Sequence, residues 1–116
     1  MIPGKLQIES FTEGDSWRGV PAFSIRVNGA APSFPIAMAV MRFQKATAAI
    51  PNPPFELASN TTKLIVTSVA NWELKVPPQI VPQLTAGDWD FQIKITDTQG
   101  TRETYIADKL TVLKTI

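Results

Sequence analysis

The side chains able to do chemistry are few and scattered. Carboxylates stand at Glu9, Glu13, Asp15, Glu56, Glu73, Asp88, Asp90, Asp97, Glu103 and Asp108. A glycoside hydrolase needs two of them flanking one bond, at a separation the fold must set. Most lie in turn sequences or at the polar positions of alternating runs, where a solvated surface charge is the ordinary role. Asp88 and Asp90 share one side of a single run and could meet a hard cation, but the ligand-rich loop of calcium sites is absent around them. Ser16, Ser24, Ser33, Ser59 and Ser68 have no imidazole to activate them, because the chain contains no His. Cys is absent too, which removes thiolate nucleophiles, disulfides and Cys-ligated metal sites. Neither of the common glycine-rich phosphate loops occurs. No catalytic, metal or cofactor-binding residue is assigned, no cofactor is expected, and the expected protein is not an enzyme.

Partners are the remaining possibility. Eleven Lys and Arg against ten Asp and Glu give a net charge of +1, and the basic residues form no stripe, so nucleic acid is not expected. No window approaches the roughly 18 apolar residues that span a bilayer, so no membrane partner is expected either. Three tryptophans stand out. Trp72 shares parity with Leu74 and Val76, and Trp89 with Phe91 and Ile93, which marks both as core plugs. Trp17 lies in Gly14-Asp15-Ser16-Trp17-Arg18-Gly19, between two turn glycines, and is expected to be partly exposed. Trp17 and Arg18 are therefore the candidate partner contact. Exposed indoles also stack on sugars, so a carbohydrate-binding module using exposed aromatics is the second functional reading.

The elements positioning these residues are strands. Val, Ile and Thr make up 31 of the 116 residues, with ten prolines and six glycines as punctuation. Trp89–Thr96 alternates apolar and polar without a fault. Asp97-Thr98-Gln99-Gly100 then reads as a type I turn into Arg102–Ala107 and Leu110–Leu113, with Asp108-Lys109 as a short break or bulge. Phe23, Ile25 and Val27 alternate up to an Asn28-Gly29 turn. Leu64 with Val66, and Trp72 with Leu74 and Val76, mark two more strands. Leu6 with Ile8 suggests a first strand, and Phe55 with Leu57 a short one. Residues 36–46 mix helical and strand patterns; Pro32 and Pro35 ahead of them favour a strand, with Ile36, Met38 and Val40 on one side. A short helix near Pro78–Leu84 is also open. One domain over residues 1–116 is expected, an all-β sandwich.

Leu84-Thr85-Ala86-Gly87-Asp88-Trp89-Asp90-Phe91-Gln92-Ile93 resembles the L-x-x-G-x-[YW]-x-[YF]-x-[IL] strand of immunoglobulin-like domains, in which Gly permits the corner and the aromatic plugs the sandwich end. With Gly14-Asp15-Ser16-Trp17, Met41-Arg42-Phe43 and the Tyr105–Val112 run in order, the chain resembles small bacteriophage and prophage structural proteins, including N-terminal domains of baseplate and receptor-binding-apparatus proteins. It departs from them at Asp108-Lys109, where a Gly is common, and in the proline-rich stretch Pro51–Pro54. The resemblance implies an immunoglobulin-like antiparallel β-sandwich of about seven to nine strands. It also implies a non-enzymatic structural or assembly subunit of a tail, baseplate or neck, a homo-oligomer contacting other phage structural proteins. The opening Met1-Ile2-Pro3-Gly4-Lys5 leads into no apolar h-region, so the expected location is the virion, after assembly in the host cytoplasm without a signal peptide.

Overall fold

The computed structural model describes residues 4–45, 55–61, 63–78 and 84–114. Among them the β-branched and aromatic runs form eight strands and no helix. β1 is Phe11–Thr12, β2 Val20–Ser24, β3 Ile36–Lys45, β4 Phe55–Ala58, β5 Ile65–Ser68, β6 Glu73–Val76, β7 Gly87–Asp97 and β8 Arg102–Leu113. One sheet runs β1-β8-β7-β3-β4 and the other β2-β6-β5. All neighbours are antiparallel except β1, which joins β8 in parallel. The class, the sandwich and the strand number are those expected, and the two strand orders follow the immunoglobulin-like Greek key.

Alternation set the core as the pleat requires. Trp89, Phe91, Ile93 and Ile95 of β7 face Leu110 and Val112 of β8 and Ala39, Met41 and Phe43 of β3, all buried. From the smaller sheet Leu74 and Val76 close the cluster, with Trp72 just ahead of β6. The turn after β7 is also as read. Gly100 N–H donates to Asp97 O at 3.0 Å, and the Asp97 carboxylate accepts from the amides of Gln99 and Thr101. Gly100, at φ 86°, then takes the left-handed position that lets a three-residue loop close a hairpin. Trp89 Nε1–H donates to Thr85 O at 2.8 Å. An indole here does the work of the tyrosine corner, tying the start of this strand to the backbone upstream.

Four local expectations are corrected. Leu6 and Ile8 form no strand. Gly4 pairs with Ile106 and Phe11 with Val112, so seven steps of the N-terminal segment run beside six of β8, and the ladder cannot close between them. The Asp108 carboxylate takes the Leu6 N–H instead, at 3.1 Å. Asp108-Lys109 is not a break; β8 passes through it, and its irregularity lies at Tyr105, left over between the pairs Ile93 with Ile106 and Lys94 with Thr104. That bulge lets Tyr105 and Ile106 both lean on the core, Tyr105 edge-on to Trp72 at 4.9 Å. Residues 36–45 are strand, but an extra residue at Ala37 shifts the register, so Ile36, Ala39, Met41 and Phe43 face inward while Met38 and Val40 lie half-buried on the outer side. β2 ends at Ser24, and Val27 meets Ala30 across the Asn28-Gly29 turn, which has positive φ at both residues. Pro51–Pro54 and most of the Pro78–Leu84 segment lie outside the described residues.

Candidate functional site

Trp17 is buried, not exposed: 3 % of its surface meets solvent. Its ring stacks on Phe11 at 5.8 Å and meets Phe43 edge-on at 6.1 Å, and Phe43 in turn lies 5.9 Å from Phe91. The neighbouring β1 and the more distant β3 thus supply the rings that cover it, while the Gly14–Gly19 loop carries it inward. Arg18, the next residue, is exposed. The two residues still share a site, a cleft of about 530 Å³ between the segments Gln7–Phe11 and Ser16–Pro21. Trp17 forms part of its wall, with Phe11, Val20 and Pro21, while Glu9 and Arg18 stand among its polar residues. Trp72 and Trp89 are buried as well, so none of the three indoles offers an exposed stacking face to a sugar.

At least five of the ten carboxylates have structural partners. Asp88 accepts from the Thr111 hydroxyl at 2.8 Å, and Asp90 lies 3.7 Å from the Lys109 ammonium. Glu73 accepts from Thr67, Asp97 organises the hairpin turn, and Asp108 holds the N-terminal segment. Among the described residues, no three acidic side chains converge as metal ligands would. Burial pushes the pKa of Tyr105 up, and the charges of Glu103 and Asp97 push it the same way.

The surface feature that residue-by-residue reading missed is at one end of the sandwich. Phe34 is 46 % and Val69 49 % exposed. Their segments are locked together: Ile36 N–H donates to Val69 O at 3.1 Å, and the buried Trp72 donates its Nε1–H to Phe34 O at 2.8 Å. Thr98 N–H adds a bond to Pro35 O from the β7–β8 turn. A large apolar side chain is therefore displayed on a backbone that cannot retreat. The signal in the sequence was Pro32-Ser33-Phe34-Pro35, an aromatic enclosed by prolines that bar it from a ladder. Comparison with protein families, with curated proteins and with solved structures finds no match to this chain.

Proposed function

We propose that the chain is a non-enzymatic structural or assembly subunit of a phage or prophage particle, in a tail, baseplate or neck, acting through protein–protein contacts. The observation that carries this reading is the rigid display of Phe34. A buried tryptophan, Trp72, fixes the carbonyl of a residue whose own ring is turned to solvent. Apolar anchors held in place before binding lose little entropy on contact and tend to dominate interfaces. The ordered motifs from Gly14 to Val112 supply the link to phage structural proteins. Self-association belongs to the same reading, through ring-closing contacts between copies.

The test is Phe34→Asp in the producing host. The exposed ring makes the variant fold as the parent does, with little change in melting temperature. Assembled particles purified from the host should contain the parent chain and lack the variant. Absence of the parent chain from every assembled structure, or equal incorporation of the folded variant, would overturn the proposal.

A further inference from the structure

We propose that the crevice between Lys5 and Arg26 binds a carboxylate carried on a partner polypeptide. The inference rests on the reading that this chain works by protein contact, and it names the chemistry of the partner. The crevice, about 560 Å³, opens between the N-terminal Gly4-Lys5 stretch and the Ser24–Asn28 stretch, with Tyr105 and Ile106 also lining it. Arg26 is held there before any ligand arrives. Its Nη1 donates to the carbonyls of Ile25 and Asn71, the first at 3.0 Å. Both acceptors are neutral, so the guanidinium keeps its full charge. Nη2 and Nε take no acceptor from the described residues, and an Arg fork with one corner fixed has less freedom to lose on gripping a carboxylate.

The charge on its lining is one-sided, with Glu103 and Asp97 set behind Tyr105. Lys5 and Arg26 are the ionised residues lining this crevice, and no Asp or Glu lines it. Four other clefts on the described surface differ in this respect. Asp90 sits with Arg42 and Lys45 in one, Glu9 with Arg18 in the Trp17 cleft, Asp90 and Asp108 with Lys5 and Lys109 in a third, and Glu103 with Lys94 and Arg102 in the fourth. Each of those clefts sets an acidic residue beside its cations; Lys5 borders one of them as well, while Arg26 lines the crevice that has none. Ser24 and Asn28 add neutral hydrogen-bonding groups to the same lining. The crevice is a half-open trough, which leaves a small carboxylate largely in water but lets a polypeptide add contacts along the walls. Charge complementarity and shape thus point to an acidic side chain on a partner segment.

The experiment is an amide-resolved NMR titration of the whole chain with an acetylated, amidated peptide bearing one central Glu. Its Gln counterpart, free acetate and inorganic phosphate form the other arms. The Glu peptide should shift the amides of Ser24–Asn28, Tyr105 and Ile106, and bind about tenfold more tightly than the Gln peptide or acetate. Arg26→Gln should weaken the Glu peptide by about tenfold or more. Because Arg26 also holds Asn71, Lys5→Glu provides the second variant; it leaves those bonds intact and should weaken binding to a similar degree. Equal binding of the Gln peptide, shifts mapping elsewhere, or no loss in folded Lys5→Glu would overturn the proposal. Acetate or phosphate matching the Glu peptide would overturn a polypeptide-borne carboxylate as the ligand. Particle incorporation is measured separately, so a failure there leaves this binding result standing, and the converse holds.

Discussion

Replacing Trp72 by Phe tests the claim that the core holds the loop displaying Phe34. Trp72 is fully buried, meets Tyr105 edge-on and has a left-handed backbone at φ 52°. Phe bears much the same backbone cost there, so the substitution isolates the indole. Losing the bond from Nε1 to Phe34 O removes about 1 kcal/mol net, since water can reach the carbonyl of an exposed residue. Shrinking the ring removes about 1–2 kcal/mol more through lost burial and residual cavity. A total of about 2–3 kcal/mol in a domain of this size lowers the melting temperature by about 8–15 °C. Calorimetry reads that fall, and hydrogen exchange reads where it acts. The amides of Ile36 and Thr98, whose bonds hold Ile36 and Pro35 just after Phe34, should exchange faster in the variant well below its melting temperature. If the melting temperature falls while both amides stay as protected as in the parent, the indole only fills space and the claim is refuted.

Three further outcomes are expected. Gly19→Ala should cost about 3–4 kcal/mol in urea unfolding, because φ is 77° and a Cβ would lie 2.8 Å from Pro77 O and closer still to Val76 O; Gly100→Ala, at φ 86° but in open space, should cost only about 1–2 kcal/mol. Asp108→Ala should lower stability by about 1 kcal/mol and speed exchange at Leu6 N–H while leaving the β7–β8 ladder protected. Tyr105 is the chain's one tyrosine, so absorbance titration reads it alone and should place its ionisation above the ordinary value near 10, with Glu103→Gln moving it part of the way back. Its raised pKa means the folded state holds the phenolic proton more tightly; that stabilisation is complete below pH about 10 and is lost as pH rises through the raised value.

What could be read from sequence was what neighbours in sequence decide. The β7–β8 hairpin needed only a clean alternation and an Asp-to-Gly turn, and both signals sit within a few residues of their effect. Trp72 and Trp89 were assigned to the core because each continues the parity of its own strand. Trp17 lies in none of the eight strands, and its burial is decided by Phe11, six residues ahead of it, and by Phe43, which arrives from β3. Bulges were invisible for a related reason. An extra residue at Ala37 or Tyr105 is extra only relative to a partner strand, and it reverses which side chains face inward beyond it. The Lys5–Arg26 crevice joins residues 21 positions apart to a β8 bulge, so no local pattern announces it.

The missing cysteines take on a meaning once the indoles are placed. Immunoglobulin domains that carry an inter-sheet disulfide put one cysteine two residues after the corner tyrosine. Here that position, two after Trp89, is Phe91, which packs beside its ladder partner Phe43 and belongs to the core cluster shared with Leu74 and Val76 of the other sheet. Apolar contact thus occupies the place of the covalent link, and such contact has no direction of its own to fix the loops. Direction comes from two buried N–H groups. Trp89 bonds the chain entering β7, and Trp72 bonds the loop entering β3. Each indole is anchored by the core on one side and holds a loop carbonyl on the other, so core packing and loop position are coupled. Weakening the core at either tryptophan must therefore loosen the loop that indole holds, and at Trp72 that loop is the one displaying Phe34.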